Sequence, residues 1–394
     1  MNKNIIILAL LASWQVAGAQ MVDPIAAVLQ QIEQNNPQLQ ALCEEVKAEV
    51  LETKSENNLA NPEVNYAHLF NSERSSQQQS ELTVVQGFDF PTAYVKRGQY
   101  NRLVSDAGKY RYEAERRDVL LEAKLLCLDV IGLNREAELL QMLSVHADSL
   151  AHLCDKRLEA GDATSLEVNR ARLELMGLRT ELADNAAAHR AALQRLLAMN
   201  GNQYIEQMVG SDYPVVPMLP DYEALCDEVM PRHRELLQAE AESKAARKGV
   251  SLNRQGWLPK LQVGYRRNTA PSEEFNGFVV GGSIPLFENR SKVKAAKARS
   301  LSAELRREAV ALEAEASLQS LYNEARQLEE AMSAYDLPLM DATFRLLGES
   351  LRGGEISWHE YFVEMEVLAR RKQSYLSLEN RYHKLMAEIY ADNL

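Results

Sequence analysis

Aromatic side chains are scarce in this sequence, at 7% of 394 residues. Alanine, leucine, glutamate and arginine dominate instead, the balance of long helices packed side by side rather than of an ordinary globular enzyme. Positive charge is also short: the formal net charge is -12, which excludes binding nucleic acid through a basic face and suits a surface or pore that favours cations. Beyond the first twenty residues no apolar run reaches the ~18 residues of a membrane-spanning helix. The mature chain is therefore either soluble in an exported compartment or inserted as a β-barrel. Only four cysteines occur, Cys43, Cys127, Cys154 and Cys226, with no C-x-x-C pair. Each lies in a helical pattern beside apolar neighbours, as buried free thiols do, although an oxidising compartment leaves a disulfide open.

Chemistry-bearing motifs are missing as well. There is no G-x-S-x-G, no H-E-x-x-H and no Walker loop. The seven histidines are scattered, and His146 and His152 do not share the helical face that i,i+4 metal ligation needs. The twelve methionines form no cluster of soft ligands. No catalytic residue, cofactor or metal site is expected, and the chain is not read as an enzyme.

What is present begins with an export signal over residues 1–19. Lys3 supplies the positive n-region, Ile5 to Ala12 a short apolar core, and Ala17-Gly18-Ala19 the cleavage site. Gln20 would become the mature N-terminus, with no cysteine there to take a lipid anchor.

A repeat organises the rest. Asn36-Pro37 opens a helical stretch and Met230-Pro231 opens another 194 positions later. Asn61-Pro62 and Leu258-Pro259 lead into strand-like runs at an offset of 197. Gly161-Asp162-Ala163-Thr164 and Gly354-Glu355-Ile356-Ser357 correspond at an offset of 193. The expected domains are a first repeat at 20–200, a linker at 201–220 carrying Pro214, Pro217 and Pro220, and a second repeat at 221–394.

Each repeat reads as a first helical segment, two alternating strands and two very long helices. The strands are expected at about 62–71, 81–90, 258–267 and 277–286. One face of each carries apolar residues such as Val64, Tyr66 and Phe70, or Leu261, Val263 and Tyr265. In the first repeat no proline falls between Pro91 and Pro214, so one helix can run from about Lys96 to Ala160. Helical tips are expected at 161–164 and 354–357. There Gly161 and Gly354 favour a left-handed helix end, and Thr164 with Glu167 and Ser357 with Glu360 read as capping boxes. The returning helices should pack through Leu173, Leu182, Leu193 and Leu196, and through Leu368, Tyr375, Leu385 and Ile389.

Four strands cannot close a barrel, and an open edge is not tolerated in lipid. Insertion thus demands an oligomer, and three copies would give twelve strands.

These residues carry a family resemblance. Asn61-Pro62, the run Gly87 to Arg97, Arg157 to Gly161, Gly281 to Phe287 and Leu351 to Ser357 are similar to the TolC-type outer-membrane efflux channel family, across essentially the whole mature chain. Pro285-Leu286-Phe287 and Gly354-Glu355-Ile356-Ser357 resemble its heavy-metal cation efflux branch. The resemblance implies a mainly α fold with a small β part, assembled as a homotrimer with a twelve-stranded barrel in outer-membrane lipid and a helical tunnel across the periplasm. It implies tip-first docking, through Gly161, Asp162, Thr164, Gly354, Glu355 and Ser357, onto a periplasmic adaptor (a membrane fusion protein) joined to an inner-membrane efflux pump. Asp162 and Glu355 depart from the apolar or hydroxyl residues of many relatives, which bears on adaptor contact rather than on fold. Glu360 matches the acidic residue that narrows the periplasmic entrance in the family, with Glu364 one turn on; a gate and a helix cap are both open readings of Glu360.

The function expected is a passive exit duct, with metal cations as its cargo. The alternatives are a duct for drug or protein export, or a soluble periplasmic coiled-coil scaffold.

Overall fold

Proline placement sets where the helices break. In the computed structural model, which describes residues 24–70, 78–205, 210–270, 272–287 and 289–394, the first helical stretch is split at Asn36. Helix α1 spans Pro24–Asn35 and α2 spans Pro37–Ser55. The Asn36 side chain accepts from the Leu39 amide at 3.0 Å, so the residue that ends α1 also caps α2. With no proline to interrupt it, α3 runs unbroken over Pro91–Glu159, 69 residues, or roughly 100 Å at 1.5 Å per residue. The export signal expected at 1–19 lies outside the described residues.

The remaining helices are α4 (Ser165–Met199), α5 (Tyr222–Val229), α6 (Arg234–Gln255), α7 (Lys292–Ser333), α8 (Leu337–Gly353) and α9 (Trp358–Ile389). Strands β1 (Glu63–Phe70) and β2 (Gln78–Phe88) follow α2, and β3 (Lys260–Ala270) and β4 (Glu273–Ser283) follow α6. The element order of the first half recurs in the second with one difference. Where the first half has the single helix α3, the second has α7 and α8, separated at Ala334–Asp336. Two very long helices were expected in each half; Pro338 prevents it. It has no amide to donate, and its ring would strike the carbonyl of residue 334. Asp336 restarts the helix by accepting from the Leu339 amide at 2.9 Å.

Three apolar clusters lie along the hairpins. One joins α1 and the start of α2 to the middle of α3 and the end of α4 through Ile32, Leu39, Leu128, Ile131 and Leu196. Its counterpart in the second half joins α5, α7 and α9 through Leu225, Leu318, Leu328, Leu385 and Met386. A third lies toward the tips, where Leu140, Leu143, Val168 and Ala171 pack beside Phe344, Trp358 and Phe362. Between the first two clusters, Arg116 and Arg117 of α3 tie both halves together. Arg116 donates to Glu33 at 2.6 Å and to the Leu394 carbonyl at 2.8 Å. Arg117, 8% exposed, reaches Glu235 at 2.7 Å and Asp392 at 3.3 Å.

The linker is anchored by one ring, beside the bonds of Asn134 to the Gly210 carbonyl and of Ser211 to Glu138. Tyr213 stacks on His383 of α9 with centroids 4.2 Å apart and planes at 5°. Its hydroxyl donates to Asn380 Oδ1 at 3.2 Å. Asn380 in turn donates to Asp129 of α3, which also takes Lys384 at 3.0 Å. Gly132 makes room for this packing: a Cβ there would lie 3.1 Å from both Asn380 and the Tyr213 hydroxyl.

Burial, helped by the Arg135 guanidinium, depresses the His383 imidazole to about 4. A histidine with a lowered folded pKa contributes stability that is whole above its unfolded value, about 6.5, and is lost as pH falls toward the folded one. Thermal stability is therefore expected to drop between pH 6.5 and 4. His383→Phe, which keeps the stacked ring and removes the proton, should flatten that part of the profile in melts recorded across the interval.

Candidate functional site

The two hairpin tips are built identically from different residues. At the first, Gly161 adopts φ +80 and the Asp162 amide donates to the Arg157 carbonyl at 2.8 Å. At the second, Gly354 adopts φ 73 and the Glu355 amide donates to Ser350 at 2.9 Å. Each pattern is the reach-back bond that closes a helix end through a left-handed glycine. The returning helices then start on capping boxes. Thr164 accepts from the Glu167 amide at 3.3 Å and its own amide donates to the Glu167 carboxylate at 2.6 Å. Ser357 and Glu360 repeat this at 3.2 and 2.8 Å. Those backbone bonds, from Thr164 and Ser357, hold both carboxyls below the usual range.

All the tip residues expected from sequence lie at one end of the molecule, because the tips touch. The Arg157 guanidinium sits 5.4 Å over the Trp358 ring. Arg170 lies 5.8 Å over Phe362 and 2.8 Å from Nδ1 of His359. These arginine–aromatic contacts were not foreseen, since they join residues about two hundred positions apart. Glu355 is held by the Ser350 hydroxyl at 2.9 Å, while Glu360 and Glu364 are solvent-exposed on α9.

At the other end, the four strands form one antiparallel sheet in the order β1-β2-β3-β4. Directly opposed residues share a face, so Val64, Val84, Tyr265 and Phe278 make one row across all four strands. Gln86, Val263 and Val280, then Phe88, Leu261 and Gly282, continue that face toward the helices. Phe278 and Val280 are 90% and 81% exposed. On the same face, one pair beyond the apolar rows, Arg267 is paired with Glu274. The opposite face carries Asn65, Thr83 and Arg266 in register, with Arg266 bonded to Glu81 at 2.9 Å. It is less uniformly polar than the alternation suggested, since Val85 and Val279 also lie on it. Among the described residues the outer edges of β1 and β4 have no strand partner.

Leu173 was expected in a helix seam but is 66% exposed, as are Leu166 and Met176 nearby at 77% and 62%. The helical period placed it on a shared face without revealing that the seam of α4 runs through Val168, Ala171, Leu175 and Leu178. All four cysteines are free; Cys127 and Cys154 are buried. Among the described residues no group of His, Cys, Asp or Glu could hold a metal ion, and no helix is long and apolar enough to cross a membrane.

Known proteins resemble this arrangement. The sequence model of a family described as "Outer membrane efflux protein" matches residues 225–344. The outer membrane protein TolC of Vibrio cholerae is 22% identical over 349 residues, covering 81% of this chain and 76% of its own length. The crystal structure of CusC, a protein described as forming a transmembrane channel, superposes with a TM-score of 0.77 at 16% identity, over 94% of this chain and 92% of its own. That of the Campylobacter jejuni CmeC outer membrane channel gives 0.76 at 13% identity, over 94% and 85%.

The tip geometry gives a direct test. Removing a hydroxyl cap costs about 1 kcal/mol of helix stability, so Ser357→Ala and Thr164→Ala should each speed amide exchange of Glu360 or Glu167 about fivefold. Glu360→Gln should leave that amide protected, because glutamine also serves at this position of a capping box.

Proposed function

We propose that this chain, which belongs to the outer membrane efflux protein family and is an outer-membrane channel subunit rather than an enzyme, works as a homotrimeric exit duct for metal cations. The observation that carries the reading is the four-stranded sheet: apolar on one face and open at both edges, with strands of 8 to 11 residues, near the length that crosses a bilayer when tilted. Backbone groups on an edge strand cannot be left unpaired in hydrocarbon. Three copies supply twelve antiparallel strands, with β4 of each copy against β1 of the next. Such an assembly also covers the exposed apolar residues Leu166, Leu173 and Met176 of α4 and Leu301, Leu305 and Leu312 of α7. A soluble scaffold would have no use for the exposed Phe278 and Val280.

In this reading the paired tips face the periplasm and dock on an adaptor that leads to an inner-membrane pump. The rigid double turn at Gly161-Asp162-Ala163-Thr164 and Gly354-Glu355-Ile356-Ser357 presents a fixed surface for it. The cation preference rests on charge. Glu360 is held ionised by its cap, Glu364 follows it on α9, and three copies would bring six carboxylates to the entrance. At a narrow, partly dehydrated ring such charges act far more strongly than on an open surface.

Glu360→Gln with Glu364→Gln is expected to lower cation-over-anion permeability by about twofold or more in single-channel recordings, and to weaken divalent-ion block. Unchanged selectivity would leave Glu360 only its cap. Efflux assays with the cognate pump separate cargo classes: loss of the chain should sensitise cells to metal ions, whereas sensitisation only to organic drugs would replace the cargo in this reading. Gly354→Val, which meets open space but must hold a positive φ, should cost roughly 1 kcal/mol and reduce efflux while trimers still form.

A further inference from the structure

A few turns from the tips, a cleft of about 230 Å³ opens among α3, α4 and α9. Its floor is apolar: Leu143, Leu150 and Leu178 are buried, as is Tyr361 at 5% exposure, and Phe362 and Met365 complete the wall. Three carboxylates, Glu174, Glu181 and Glu366, stand around this floor. They are not equally satisfied. Glu366 takes the Arg370 guanidinium at 2.7 Å, whereas Glu181 has a bond from Gln373 at the long distance of 3.5 Å. Burial, and then the charges of Glu366 and Glu181, push the Glu174 carboxyl up, against a smaller opposing pull from Arg170.

The cleft thus combines an aromatic and thioether wall with three solvent-exposed carboxylates, against Arg370 and His146 on its lining and Arg170 over the Phe362 ring. A bare metal ion would use only the second feature, and no metal-holding group of His, Cys, Asp or Glu is found among the described residues. A cation with an apolar body uses both, because its charge meets the carboxylates while its hydrocarbon covers Leu143, Leu178 and Tyr361. We propose that this cleft is a binding site for a small organic cation of the aryl or quaternary ammonium class, held by Glu174 and Glu181 over the Tyr361–Phe362 wall. The site lies between the first hairpin and α9, so an occupant would bridge the two tips from within one subunit. It does not depend on which cargo passes the duct.

The test uses the full-length protein purified in detergent at low salt, with benzyltrimethylammonium as the probe and benzyl alcohol as its neutral counterpart. Binding is followed by calorimetry and by saturation-transfer NMR. The ammonium is expected to bind, with affinity about tenfold weaker after Glu174→Gln plus Glu181→Gln, and benzyl alcohol about tenfold weaker on the native protein. Should the double variant fail to assemble, Glu174→Gln alone is expected to weaken binding about threefold. The proposal is overturned if the native protein does not bind the ammonium, if the carboxylate variants bind it as well, or if benzyl alcohol binds equally. Channel conductance and efflux are separate readouts, so an empty cleft would leave the duct reading standing.

Discussion

A hydrogen-bonding constraint governs this molecule: a sheet edge exposed to lipid leaves amides and carbonyls with nothing to bond. Among the described residues there are four strands, with the outer edges of β1 and β4 unpaired, fewer than the eight or so of the smallest membrane barrels. The apolar row Val64–Val84–Tyr265–Phe278 shares one face of the sheet, and the Arg267–Glu274 pair lies just beyond it on the same face. The hairpins carry apolar residues, such as Leu173 and Leu312, that no other described residue covers. In the proposed trimer each chain is one component, and its surface is partly an interface.

The tips illustrate how a function can keep geometry while sequence varies. Arg157 to Thr164 and Ser350 to Ser357 share a leucine, a glycine, an acid and a hydroxyl at matching positions and differ at the other four, yet both close on the same reach-back bond and reopen on the same capping box. Those few positions are the ones physics restricts. Only a residue free of Cβ strain takes positive φ cheaply, and only a short hydroxyl, amide or carboxylate side chain reaches the second or third amide of the next helix. Asp162 and Glu355 are free to differ because their amides, not their side chains, make the turn.

For the same reason the tips, the strand alternation and the length of α3 could be read from the sequence. Each follows from local rules: a glycine with a hydroxyl three residues later, a period of two, and the absence of proline between Pro91 and Pro214. The break before α8 was equally local, written in Pro338, but hidden by the expectation that the second half would copy the first. What could not be read were contacts between distant residues. Nothing near Trp358 announces Arg157, and nothing near Tyr213 announces His383 and Asn380. Leu173 shows the complementary limit: helical period gives a residue's face but not whether its own chain or another copy covers that face.

The central claim is that the barrel is completed by other copies of this chain. Native mass spectrometry of the protein extracted from membranes in mild detergent tests it most directly. One dominant species of three times the mass of the mature chain is expected. A membrane-inserted monomer, or an assembly whose strands do not total twelve, would contradict it.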